Sequence, residues 1–381
     1  MRFPGGWVGS STVRVLVAPD CFGGTLTATQ AADAISTGWR RAAPRDEILL
    51  RPLADGGPGF VDVLHAALGG TPHEVTVTGP LGDKVVARWL EHDGIGYVES
   101  AQACGLHLAD RREPETATTY GVGELLAAVR DTGLGTAVVG LGGSATTDGG
   151  AGMLAALGAP VTDASGTELA AGGTALAGAA LLAAPRTPLR LVVASDVVNP
   201  LLGPHGAARM FGPQKGADKA AVERLEAGMR QWADVLAAAT GRDVRDQPGA
   251  GAAGGLGAAL LALGAETVSG ADLVRRLTGM DAALDAVDLV ITGEGSFDWQ
   301  SLRGKVATSV AAAAAERGLP CLVLAGQVGV GRREAGAAGV AETYAVAEHA
   351  GSLAASLADP AGTLAALAGH VAGQWSRSRH G

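Results

Sequence analysis

Gly140-Leu-Gly-Gly-Ser-Ala-Thr-Thr-Asp-Gly-Gly150 stands between an apolar run, Thr136 to Val139, and a helix-like segment, Ala151-Gly-Met-Leu-Ala-Ala-Leu157. A strand that empties into a glycine loop and then a helix start is a natural anion cradle. Glycines let backbone N–H groups approach an oxyanion closely, and the positive end of the following helix favours negative charge. Ser144, Thr146 and Thr147 add hydroxyl donors and Asp148 adds a carboxylate. Read alone, the stretch is equally a tight strand-to-helix turn whose small residues serve packing. Its companions elsewhere in the chain decide between the two readings.

The same unit recurs on both sides. Val13-Arg-Val-Leu-Val-Ala-Pro19 is a continuous apolar run of buried-strand type that delivers Asp20 at its end. Thr27-Ala-Thr-Gln30 is a capping box that opens a helix carrying Ala31, Ala34, Ile35 and Trp39 at helical spacing. A second strand, Glu47 to Leu53, ends in Ala54-Asp-Gly-Gly57 and leads to the amphipathic run Val61 to Leu68. From Glu74 to Glu99 the runs shorten and are broken by Gly, Pro and Asp, the pattern of antiparallel strands, with a domain boundary expected near Gly79-Pro80. A helix over Tyr120 to Asp131 precedes the strand that feeds the opening loop. Leu189 to Ala194 presents Ser195-Asp196 and then Asn199-Pro200; a long helix covers about 217 to 240. Asp288-Leu-Val-Ile-Thr292 opens onto Gly293-Glu-Gly-Ser-Phe-Asp298 and Arg303-Gly-Lys305. Late strands at Pro320 to Ala325 and Thr343 to Val346 and a closing helix at Ala361 to Ala372 complete the pattern. Strands alternating with helices over 381 residues call for an α/β fold in two domains.

Composition narrows the function. With 47% hydrophobic and 18% charged residues the chain is not largely disordered, and with only 4% aromatics its core must be built from Ala, Val and Leu. A net charge of −9 argues against general nucleic-acid or anionic-membrane binding, so a phosphate-bearing ligand needs a local lysine cluster or a metal. Cys21, Cys104 and Cys321 are odd in number and far apart, which reads as a reduced, cytoplasmic chain; residues 1–7 do not read as a signal peptide. The uncharged stretches Leu169 to Pro185 and Gly249 to Ala265 are rich in Gly and Ala and read as buried helix and loop rather than membrane spans.

Set together, the strand ends carry Asp20, Asp55, Asp148, Asp196, Glu294 and Asp298. Any one of these can be a helix cap. Six of them, with Lys215 and Lys305 in glycine-flanked loops, supply what phosphoryl transfer needs: carboxylates for Mg²⁺, lysines for phosphate oxygens and backbone donors. Other chemistries fit less well. Gly304-Lys305 lacks the Walker spacing, the eight histidines show no metal-ligand spacing, and Ser144 lacks the nucleophile elbow. Gly249-Ala-Gly-Ala-Ala-Gly254 matches GxGxxG in letters, but the polar, turn-like segment before it denies it the dinucleotide context.

Val17-Ala-Pro-Asp20, Pro52-Leu-Ala-Asp-Gly-Gly57, Thr119-Tyr-Gly-Val-Gly-Glu124, Gly140 to Leu154, Asp196 with Asn199-Pro-Leu201, Phe211-Gly-Pro-Gln-Lys-Gly-Ala217, Gly251-Ala-Ala-Gly-Gly255 and Thr292-Gly-Glu-Gly295 occur in this order, and the series resembles the type I bacterial glycerate kinase family. The resemblance runs from about Val13 to Gly329. It implies two α/β domains. One is discontinuous, 11–78 plus 285–381, with a largely parallel sheet and helices on both faces. The other, 79–284, is inserted and has a mixed sheet, with the active site in the cleft between them. It implies transfer of the γ-phosphoryl of ATP, with Mg²⁺, to a hydroxyl of D-glycerate, typically giving 2-phosphoglycerate. The partners implied are small molecules, with a homodimer as one option for assembly.

On that resemblance, Gly142, Gly143 and Ser144, with Thr146 and Asp148, form the phosphate side. Asp196 orients or deprotonates the acceptor hydroxyl or holds Mg²⁺, and Glu294 is the second metal candidate. Lys215 and Lys305 neutralise phosphate or the glycerate carboxylate; Asp20, Asp55, Gly56, Gly57, Asn199, Gln214 and Asp298 complete the substrate and nucleotide contacts. Two positions depart from the family pattern. Asp20-Cys-Phe-Gly-Gly24 has Gly23 where the family has lysine, and Asp55-Gly-Gly-Pro-Gly59 has Pro58 where it has glutamate. These departures leave open a kinase-fold relative with altered hydroxy-acid specificity, or a non-catalytic protein that binds a nucleotide or small acid.

Overall fold

The computed structural model describes residues 12–376 except Arg186 and Gly304. The N-terminal segment 1–7, the ends of the expected discontinuous domain at Ser11 and 377–381, and the glycine of Arg303-Gly-Lys305 lie outside these residues. The chain divides into two compact units, one made of residues up to Leu53 together with those from Thr278 onward, the other running from Ala54 to Leu277.

The first unit opens with β1 (Arg14–Val17), crosses over through the Ala28–Ala42 helix and returns as β2 (Glu47–Leu50), parallel to β1. The helix begins as expected: the Thr27 side chain accepts from Gln30 N while Gln30 reaches back to Thr27 N. The second unit then supplies β3 (Thr71–Thr78), β4 (Lys84–His92), β5 (Ile95–Glu99), β6 (Thr136–Gly140), β7 (Arg190–Ala194) and β8 (Glu266–Val268). The first unit closes with β9 (Leu289–Thr292), β10 (Cys321–Ala325) and β11 (Glu342–Ala345).

The sheet of the first unit has the order β11-β10-β9-β1-β2 and is parallel throughout. Val15, Val17, Leu289, Ile291, Leu322 and Leu324 pack on Ile35 and Trp39 of one helix and Leu364, Leu367 and Val371 of the Pro360–Trp375 helix. The alternate residues Leu16, Val290 and Val323 are fully buried as well. A sheet covered on both faces needs apolar residues at every position, which is why these strands read as continuous runs.

The sheet of the second unit has the order β8-β7-β6-β5-β4-β3 and is mixed: β3, β4 and β5 pair antiparallel, while β5 through β8 pair parallel. Its register sets Glu99 opposite Gly140 and Gly140 opposite Ala194, so three strands release their chains side by side at one carboxyl edge. In open α/β sheets that edge is where ligands bind. The unit begins at Ala54, upstream of the Gly79-Pro80 turn, because β3 pairs with β4 along its whole length and Glu99 holds the start of the Phe60–Leu68 helix. Its other limit falls at Leu277 rather than at 284. Among the described residues, no helix is long and apolar enough to cross a membrane.

Candidate active site

The loop after β6 is fixed from several sides. Leu141 N donates to Ala194 O at the end of β7, Ala145 N donates to Cys104 O, and Leu106 N donates to Gly143 O. Trp232 Nε1 donates to Gly149 O at 2.9 Å. Gly142 sits so close to the Asp55-Gly56-Gly57 turn that a Cβ on it would lie 2.6 Å from Gly57 Cα. Backbone therefore rests directly on backbone, and no other residue fits. The N–H groups of Gly142 and Gly143 donate to no acceptor among the described residues, and with Gly142 partly buried and Gly143 exposed they are open to solvent or a ligand.

The Lys215 side chain reaches into this loop. It is 3% exposed, and its Nζ donates to Ser144 Oγ at 3.0 Å and to Thr146 O at 2.5 Å. Burial pulls its pKa down to about 8. An ammonium has three protons to give and these two acceptors take two of them. Gln214 beside it is exposed, and its carbonyl accepts from Arg112.

Asp148 is 1% exposed and is surrounded by donors: Thr119 N at 2.8 Å, Thr119 Oγ1 at 2.9 Å, Gly150 N at 3.1 Å and Gly152 N at 3.2 Å. Burial raises its pKa and these four donors oppose the rise. The carboxylate ties the loop to the start of the Tyr120–Asp131 helix. Thr146 and Thr147 are fully buried in the same loop.

Asp196 leaves the neighbouring strand end half-buried. Its Oδ2 accepts from Ala271 N at 3.0 Å, at the start of the Gly270–Leu277 helix. Burial raises its pKa, the charges of Asp55 and Asp272 raise it further, and hydrogen bonds from Ser269 and Ala271 oppose the rise. Asp55 accepts from Gly57 N at 3.0 Å. The side chain of Asn199 is turned to His205 O at 2.8 Å, bracing its own loop. The second unit thus brings together Asp55, Gly56, Gly57, Gly142, Gly143, Ser144, Thr146, Asp148, Asp196 and Lys215.

The remaining expected residues belong to the first unit. Asp20 follows β1, where its N–H donates to Gly293 O at 2.8 Å, and Glu294 is buried in the loop after β9. The Gly23 backbone lies against Gly295 of that loop, at 3.0 Å from the place of a Cβ. Asp298 accepts from Gln300 N at 2.8 Å and closes a turn. Lys305 is half-buried at the N-cap of the Val306–Glu316 helix. Among the described residues, no three or more His, Cys, Asp or Glu side chains cluster as a metal-binding group.

One residue, and the role of one segment, escaped the sequence reading. Glu99 is 2% exposed at the end of β5 and accepts from Gly59 N and Val61 N; it obeys the same strand-end rule that singled out the six acids. The Gly251-Ala-Ala-Gly-Gly255 segment is the second. Gly254 adopts φ +68°, Gly149 N donates to its carbonyl, and a Cβ on it would lie 1.9 Å from Thr146 O. Gly254 and Gly255 serve the close approach to the Thr146–Gly149 backbone, and Gly251 the approach to Pro200 O.

The sequence model of the glycerate kinase family matches residues 15–376. An uncharacterized protein of Mycobacterium tuberculosis, MT2261, is 47% identical over 372 residues, covering 96% of this chain and 92% of that protein. Glycerate 2-kinase of Escherichia coli is 42% identical over 326 residues, 83% of this chain and 86% of that enzyme. A crystal structure named for a glycerate kinase 2 from Salmonella typhimurium superposes with a TM-score of 0.76 at 36% identity, covering 97% of this chain and all of that one. Parallel and mixed sheets, the glycine loop with its buried lysine, and matches along the whole described length agree: the chain belongs to the glycerate kinase family.

Proposed function

We propose that the chain transfers the γ-phosphoryl group of ATP to a hydroxyl of D-glycerate, giving 2-phosphoglycerate and ADP. The observation that supports this reading best is Lys215, an ammonium buried in a glycine loop whose Gly142 and Gly143 N–H groups have no acceptor among the described residues. A buried cation and N–H groups without a protein acceptor in one loop suit an oxyanion.

Phosphoryl transfer leaves a protein little covalent chemistry and much positioning. Gly142, Gly143 and Ser144 hold phosphate oxygens, and Lys215 offsets the charge that gathers on them. The acceptor hydroxyl oxygen forms a bond to the γ-phosphorus as the bond to the β,γ-bridging oxygen breaks. The hydroxyl proton passes to Asp196, and ADP leaves with the electron pair. A carboxylate whose pKa is raised by burial and by Asp55 and Asp272 is a better base than an exposed one. Asp148, saturated with four protein donors, shapes the loop and touches no substrate.

The donors at this edge also fit Mg²⁺. Asp196 and Asp55 repel each other, and a dication offsets that repulsion; Mg²⁺ bound to a nucleotide needs only one or two carboxylates beside the phosphates. When bound there, it neutralises charge on the phosphate oxygens.

A second reading, a kinase for a different hydroxy acid, draws on Gly23. That position is exposed and bears no side chain to meet a carboxylate where the family pattern has lysine. One experiment separates the readings: coupled ADP release with ATP, Mg²⁺ and a panel of 2-hydroxy acids, with the product identified by phosphorus NMR. ADP release with D-glycerate and a 2-phosphate product carries the first reading; release only with another acid carries the second. In the same assay, Asp196→Asn loses about 10²- to 10⁴-fold in kcat with an unchanged melting temperature. Full turnover in that variant removes Asp196 from catalysis.

A further inference from the structure

We propose that Glu99 is a positioning residue for the phosphate cradle, holding the Gly57-Pro58-Gly59 turn against Gly142 and Gly143. Its Oε2 accepts from Gly59 N at 3.1 Å and from Val61 N at 3.3 Å, inside a site where the carboxyl group is almost fully buried. Gly59 is the N-cap of the Phe60–Leu68 helix and has no side chain with which to cap it. The first N–H groups of a helix need an acceptor, and here β5 delivers one across the sheet edge.

What those N–H groups fix is the turn immediately before them. A Cβ on Gly143 would meet Pro58 Cγ at 2.7 Å, and one on Gly142 would meet Gly57 Cα at 2.6 Å. The cradle's floor is therefore the Gly57-Pro58 turn. Glu99 also stands opposite Gly140, the residue from which the cradle loop departs. One carboxylate thus ties together the strand that launches the cradle and the helix that anchors its floor.

The surroundings suit a clamp rather than a proton donor to substrate. Gln102 hydrogen-bonds to the carboxylate, and Asp62 on the helix, paired with Arg88 of β4 at 3.0 Å, adds a like charge. Burial pushes the Glu99 pKa up to about 7 against the two backbone donors.

The activity arm of the test rests on the kinase reading; the structural arm does not. Amide hydrogen exchange is measured for 56–61 and for β6 in wild type, Glu99→Ala, Glu99→Asp and Glu99→Gln, alongside kcat and the KM for ATP. Glu99→Ala is expected to speed exchange at 56–61 by about tenfold or more, leave β6 unchanged and raise the KM for ATP by about tenfold with a smaller effect on kcat. Glu99→Asp, which keeps the charge but withdraws the carboxylate by one methylene, goes the same way and serves if the alanine variant does not fold. Glu99→Gln, which keeps an acceptor oxygen, recovers most of both. Wild-type exchange at 56–61 in the alanine and aspartate variants overturns the proposal, as does faster exchange with unaltered KM. If wild type phosphorylates no hydroxy acid, the kinase reading fails while the exchange data still decide the role of Glu99.

Discussion

Replacing Lys215 by methionine separates a residue kept for function from one kept for stability. The ammonium is 3% exposed, and its pKa falls from 10.5 to about 8 because burial penalises the charged form. At 1.36 kcal/mol per pH unit, that fall is a penalty of about 3 kcal/mol on the charged amine. At pH 7 the amine is still protonated, so the folded protein bears the penalty. Methionine removes it and keeps the volume, but leaves Ser144 Oγ and Thr146 O without a donor, at about 1–3 kcal/mol each. The two effects partly offset, and Lys215→Met is expected to stay within about 3 kcal/mol of wild type. Turnover should fall by about 10²- to 10³-fold, the usual consequence of removing one preorganised donor from a developing oxyanion.

The pH dependence gives the sharper result. Between pH 8 and 10.5 the unfolded chain holds the lysine proton and the folded chain has released it, so folding stability rises with pH across that window. Denaturant unfolding from pH 7 to 10.5 should show wild type gaining about 3 kcal/mol relative to Lys215→Met, which lacks the group. A constant difference between the two across this range refutes the buried-ammonium account. Full turnover in the variant refutes its catalytic part.

Asp148→Ala should behave in the opposite way. It strands four donors in a site that is 1% exposed, so it is expected to cost about 3–5 kcal/mol in thermal or denaturant unfolding before activity can be judged; a loss under 1 kcal/mol removes its clamp role. Gly254→Ala drives a Cβ to 1.9 Å from Thr146 O at φ +68°, and should weaken ATP binding together with stability. Gly318→Ala, at φ +67° with nothing within 4 Å of the new Cβ, should lose only the strain, about 1–2 kcal/mol, and keep activity; equal losses in the two refute the packing argument.

These variants also mark where the sequence could be read and where it could not. The parallel strands were legible because a sheet buried on both faces writes its burial into every residue, as in Val15-Leu16-Val17 and Leu289-Val290-Ile291. The strand–loop–helix course around Gly140 to Gly150 was legible because a strand, glycines and a helix start follow one another in the chain. The unit boundary was not, since nothing local in Ala54 to Leu68 says that its helix start is held by an acid about forty positions downstream. Gly251 to Gly255 was matched as a family segment, but its purpose depends on a partner about a hundred residues away, and only contact distances disclose that.

The acids make the general point. Asp148, Asp196 and Glu99 all sit at or just beyond a strand end, and the sequence treats the first two alike and passes over the third. Their chemistry differs by the number and source of the donors around them. Asp148 receives four protein donors, two of them from Thr119, so its charge is already largely compensated within the protein. Glu99 receives two N–H groups from a helix start and is closed to solvent. Asp196 is half-buried and faces two like charges, with hydrogen bonds from Ala271 N and the Ser269 side chain opposing them, so a proton or a dication there relieves repulsion. A carboxylate at a strand end is therefore a ligand candidate only to the extent that the protein leaves its charge uncompensated, and by that measure Asp196 stands apart from Asp148 and Glu99.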